Sequence, residues 1–155
     1  MSHIPLLVEP DWIQSHPDAR VIDLRWSVKG PPARQKYEEG HIPGAVYADL
    51  DHDLSRPGGP GRHPFPSEEQ FARVLSRWGV TPETHVVIYD DAGSSIAARL
   101  WFMLRAYGHD PVSVLDGGIR AWTEAALPLT REVPRIGPAP LRTLKLDRSR
   151  LAEME

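Results

Sequence analysis

The residues best placed to do chemistry follow the run Val86-Val87-Ile88-Tyr89: they are Asp90, Asp91, Ala92, Gly93, Ser94 and Ser95. Four consecutive β-branched or aromatic residues mark a central strand buried on both faces. In open α/β sheets, ligands bind where such a strand ends and the next helix begins. This segment is short, contains a glycine, and leads into a helix whose free amides favour an anion. Residue types alone leave two readings of Asp90. In one it is a ligand or nucleophile, as in aspartyl-phosphate chemistry. In the other it hydrogen-bonds the loop amides while Asp91 or Ser94 caps the helix. The first reading wants a second aspartate two positions on, and Ala92 stands there. No cysteine occurs in the 155 residues, which excludes disulfides, thiolate-bound zinc and a thiol nucleophile within the chain.

Other polar residues carry weaker signals. Seven histidines are scattered without metal-ligand spacing, so no metal and no other cofactor is expected. His41, beside the Pro43-Gly44 turn, reads as a fold-stabilising hydrogen-bonder. Asp23 and Arg25 pair with each other or with loop amides, and Arg25 is an ion-pair scaffold before it is a substrate contact. Gly117 and Gly118 permit backbone conformations closed to other residues. A phosphate loop there would need a longer glycine pattern and a lysine. Trp78, Trp101 and Trp122 fall at helical core positions and read as packing.

The elements that position these residues alternate between strand and helix. A short helix opens at Trp12 and Ile13, with Asp11 near its cap, and Val21-Ile22-Asp23-Leu24 follows as a strand. A helical turn over residues 34–39 ends at Gly40, where a left-handed C-cap suits glycine. Ala45-Val46-Tyr47 is the next strand. Ser67-Glu68-Glu69-Gln70 is a capping box, and Phe71, Val74, Leu75 and Trp78 follow at i, i+3, i+4 and i+7 until Gly79. After the Asp90 loop, Ile96, Leu100, Met103, Leu104 and Tyr107 repeat at helical spacing. Val112-Ser113-Val114-Leu115 forms another strand, and a helix runs over residues 119–125. The expected architecture is an α/β sandwich with a small, mostly parallel central sheet flanked by helices.

Composition narrows the function classes. The chain is 41% hydrophobic and 25% charged with a net charge of −3, its signs interleaved. No basic stripe points to nucleic acid. The N-terminus, Met-Ser-His-Ile-Pro-Leu-Leu, lacks the basic and apolar regions of a signal peptide, and no run approaches the roughly 20 apolar residues that span a bilayer. Cytoplasmic location is expected, with no membrane partner. Prolines crowd two places, Pro57, Pro60, Pro64 and Pro66, then Pro134, Pro138 and Pro140; both read as loop or linker. Residues 1–133 read as one domain. Residues 134–155 read as a linker and the start of a second, truncated domain, with Asp147 capping a new helix.

Several segments together resemble the rhodanese family in order and spacing. They are Val21-Ile22-Asp23-Leu24-Arg25, the stretch from Tyr37 through His41-Ile42-Pro43-Gly44-Ala45, the run Val86-Val87-Ile88-Tyr89-Asp90, and Leu115-Asp116-Gly117-Gly118-Ile119-Arg120-Ala121-Trp122. The stretch from Arg99 to His109 is similar to the first domain of two-domain thiosulfate or 3-mercaptopyruvate sulfurtransferases. The resemblance covers about residues 5–130. It implies a third reading of residues 90–95, as an active-site loop whose persulfide-forming cysteine is replaced by Asp90. It also implies a missing C-terminal rhodanese domain as partner and a small sulfur donor as substrate. The exposed interdomain face allows an isolated fragment to dimerise. Within the 47–67 loop, the resemblance matches Asp51 and His63 to a pair that faces the partner's cysteine loop, a carboxylate orienting an imidazole. The alternative is a surface loop in which Asp51 caps a turn and His63 is solvated. A self-contained, cysteine-less binding module is the competing function.

Overall fold

A computed structural model describes residues 4–26, 32–50, 53–54 and 65–152; Asp51 and His63 lie outside them. The elements are β1 Leu7–Val8, α1 Pro10–Ser15, β2 Arg20–Asp23, α2 Ala33–Glu39, β3 Val46–Tyr47, α3 Glu68–Arg77, β4 Val86–Tyr89, α4 Ser95–Ala106, β5 Val112–Leu115, α5 Gly118–Glu124 and α6 Arg148–Ala152. Five strands form one sheet in the order β1-β5-β4-β2-β3. Every pairing among them is parallel. The α/β sandwich expected from the alternation of elements is the observed fold.

Central position and residue type agree at β4, all four of whose residues are buried. Alternation along the strand splits them between two cores. Val86 and Ile88 join Phe71, Leu75, Leu100, Met103 and Leu104 from α3 and α4. Val87 and Tyr89 join Ile13, Ile42, Leu115 and Trp122 on the opposite face. Ser67 starts α3 as its spacing predicts, its hydroxyl accepting the Gln70 amide at 3.0 Å. Gly79 follows the helix at φ +71°.

Two local expectations change. Gly40 ends α2 in extended backbone, φ 170°, and not as a left-handed cap. Its carbonyl is drawn to the Arg25 guanidinium at 2.7 Å, and an added Cβ would press on Leu129 at 3.4 Å. Strand β1 has no counterpart among the expected elements. Two residues are too few for a period, and its place comes from pairing with β5 at Leu7↔Val114 and Val8↔Leu115. Residues 131–147 hold no helix or strand, as the prolines imply, yet they pack onto this domain. Leu144 is buried in the α3/α4 core, with Ile136 and Leu146 against it.

Candidate functional site

Asp90 is fully buried where β4 ends, and its carboxylate collects four backbone amides. Oδ1 accepts from Ala92 at 3.0 Å and Ser94 at 2.9 Å. Oδ2 accepts from Ile96 at 2.9 Å and Ala97 at 2.7 Å. The last two are orphan donors of the first turn of α4, so Asp90 caps that helix from outside it. Neither cap weighed for this helix operates: Ser94 makes no side-chain cap bond, and Asp91 turns away to Lys36 Nζ at 3.1 Å. The reason is backbone shape. Gly93 and Ser94 are consecutive left-handed residues, φ +68° and +72°, and such a turn folds its amides into a concave anion nest. For the non-glycine Ser94 that conformation carries strain of order 1–2 kcal/mol, a cost tolerated where four charge-assisted bonds converge.

The cradle is wedged from the next turn of the sheet. Gly118 enters α5 at φ +59°, and a Cβ on it would lie 2.4 Å from the Asp90 carbonyl oxygen. The Ile119 amide then donates to that same oxygen at 3.1 Å. The glycine pair after β5 is therefore a close-approach device that locks α5 against the end of β4.

Behind the cradle lies a buried ionic network. Asp23 and Arg25 pair at 2.8 Å, and the Tyr89 hydroxyl donates to Asp23 Oδ2 at 2.6 Å. Arg25 also reaches the carbonyls of Lys36 and Gly40, so its fork ties β2 to α2. Burial works against the Arg25 cation, but Asp23 outweighs it and the group is held above its ordinary value. Burial, then Asp23, pushes the Tyr89 phenol well up, and it stays a neutral donor. Arg25 is thus a scaffold, as its pairing with Asp23 foretold. His41 is a scaffold too: it is buried, stacked on Tyr37 at 3.8 Å, and its ring nitrogens face the carbonyls of Tyr37 and Glu132.

Two buried groups escaped sequence reasoning. Asp53 accepts the Asp49 amide at 2.9 Å and pairs with Arg77; nothing in the sequence around it marks Asp53 as a buried carboxylate. His109 is 1% exposed between Thr84 and Arg142, though the spacing of the histidines gives no sign of it. Among the described residues no three His, Asp or Glu side chains could together hold a metal. No described helix is long and apolar enough to cross a membrane.

A parallel sheet whose central strand delivers a buried anion into the amides of the next helix defines an α/β domain built around an anion cradle. The chain belongs to the rhodanese-like domain family, whose model matches residues 9–125. It is 43% identical over 129 residues to a probable 3-mercaptopyruvate sulfurtransferase of Pseudomonas aeruginosa, covering 80% of this chain and 45% of that protein. To the thiosulfate sulfurtransferase of Bos taurus it is 40% identical over 142 residues, 90% of this chain and 47% of the other. The crystal structure of the Escherichia coli 3-mercaptopyruvate sulfotransferase superposes with a TM-score of 0.81 at 31% identity, covering 97% of this chain and 62% of that one. The chain spans about half the length of the curated relatives it matches.

Proposed function

We propose that this chain is the N-terminal, noncatalytic rhodanese-like domain of a two-domain sulfurtransferase, with Asp90 at the position where a catalytic domain carries cysteine. The observation that carries the proposal is the carboxylate held by four amides. A carboxylate offers those amides an anion, as a persulfide would, and has no sulfur with which to form one. The whole protein would take thiosulfate or 3-mercaptopyruvate as donor and pass sulfur to cyanide or a thiol, in the cytoplasm. Residues 1–133 would pack against the second domain and offer Asp51 and His63 to its cysteine loop, and residues 134–155 would lead into that domain.

Assayed alone with thiosulfate and cyanide, the chain should form no thiocyanate; saturable turnover would sink the reading of Asp90. The gain-of-function test is Asp90→Cys. Its thiolate should attack the outer sulfur of thiosulfate, breaking the donor's S–S bond, releasing sulfite and leaving a cysteine persulfide visible by intact mass. A folded variant that never acquires the extra sulfur would show that the cradle does not correspond to a cysteine loop.

One observation favours the second reading, a self-contained binding or regulatory module: residues 136–147 fold back onto α3 and α4. The natural coding sequence downstream of Glu155 discriminates. A second domain with a strand-end cysteine supports the sulfurtransferase, and a stop codon supports the module.

A further inference from the structure

The segment that folds back is a strap, fastened among the described residues near both of its ends. Near one end, the Ala139 amide donates to the Ser76 carbonyl at 2.9 Å and the Ser76 hydroxyl donates to the Ala139 carbonyl. Near the other, the Leu146 amide donates to Glu68 and the Asp147 amide to the Ala106 carbonyl at 2.7 Å. Between them Leu144 is buried, and Arg142 reaches His109.

We propose that the His109–Arg142 contact is a proton-operated latch: it holds residues 136–147 on α3 and α4 while His109 is neutral, and releases them when His109 gains a proton. The partners fix the imidazole's state. His109 Nε2 lies 2.9 Å from the Thr84 carbonyl, which can only accept, so Nε2 carries the hydrogen. Nδ1 lies 2.8 Å from Arg142 Nη2, and a guanidinium can only donate, so Nδ1 presents its lone pair. A second proton would land on that lone pair. It would delete the acceptor and set two cations face to face, one of them on an almost wholly buried ring.

The other charges nearby do not cancel this. Asp110, next in sequence, favours the cation, but it is shared with Arg105 at 3.7 Å and Arg150 at 3.3 Å. Glu83 acts on Arg142, and His85 adds repulsion. Burial first, then Arg142, lowers the His109 pKa to about 4. The latch is therefore shut at neutral pH. Its opening would loosen α6, which meets α4 through Arg150 and the Arg105 carbonyl. Acid would then uncouple this domain from whatever follows the strap.

Isotope-labelled chain is titrated by NMR between about pH 7 and about pH 3.5, spanning the histidine range below its ordinary value. The amides of Ala139 and Asp147 should shift together with the His109 ring, while those of Val87 and Ile88 in β4 hold. The control is His109→Gln, which keeps one acceptor and one donor but takes up no proton, so any shift that other groups impose on the strap persists in it. That variant should lose the strap transition. In Arg142→Gln the His109 ring should titrate at higher pH, with the guanidinium repulsion gone. The proposal is overturned if the strap amides move identically in His109→Gln. It is equally overturned if β4 melts with the strap, or if Arg142→Gln leaves the His109 titration unmoved.

Discussion

Asp90 meets two requirements at once: it closes a strand and it caps a helix. Both its oxygens are saturated by amides, so the group must remain an acceptor at all four contacts. Asp90→Asn keeps the shape but turns an NH2 toward two N–H donors. A buried donor facing donors loses the bond and its desolvation, about 2–4 kcal/mol in all. Chemical denaturation should show that loss without a change of fold. A loss below about 0.5 kcal/mol, the level of an ordinary surface substitution, would mean that the carboxylate is not what shapes the loop.

At the scale of elements, the site depends on how α5 meets β4. Gly118 allows the contact by lacking a Cβ and by standing at φ +59°. Gly118→Ala adds left-handed strain of about 1–2 kcal/mol and a clash with backbone that has little room to move, about 1–3 kcal/mol. The expected outcome is a thermal midpoint well below the parent's, with the Asp90 loop amides the most shifted in an NMR spectrum. An unchanged midpoint would show that α5 is free to slide. The Asp23–Arg25–Tyr89 network plays the matching part on the other side. Buried and hydrogen-bonded, it ties the end of β2 to α2 through the Arg25 contacts with the Lys36 and Gly40 carbonyls.

For the molecule as a whole, the strap adds a late stretch of chain to the α3/α4 core. Leu144 packs in the same core as Leu75 and Leu104, so Leu144→Ala should cost about 2–5 kcal/mol, measured by urea unfolding of the full chain. A surface-like loss under about 0.5 kcal/mol would return the strap to the role of a passive linker. The strap also sets a pH dependence. The folded-state pKa of His109, about 4, lies below its ordinary value, so the folded state resists a proton that the unfolded chain accepts. That contribution is complete above about pH 6.5 and drains away as pH falls through 4.

Much of this protein is determined by sequence alone because it is local. The alternation of strand and helix, the buried run Val86–Tyr89 and the Ser67 cap each depend on neighbours within a turn or two. The lack of any thiol is a count. Together they place an anion-favouring loop at residues 90–95. What they leave open is who occupies it. That is decided by Ser94, a non-glycine in a left-handed conformation its residue type does not announce, and by Gly118, brought to Asp90 from the next strand. The edge strand β1, the inward turn of His109 and the return of the strap are likewise tertiary. Each is fixed by partners far along the chain, Val114 for Leu7, Arg142 for His109 and Ser76 for Ala139. No local pattern of residue types records such pairings, because the free energy that selects them exists only once the sheet has brought the partners together.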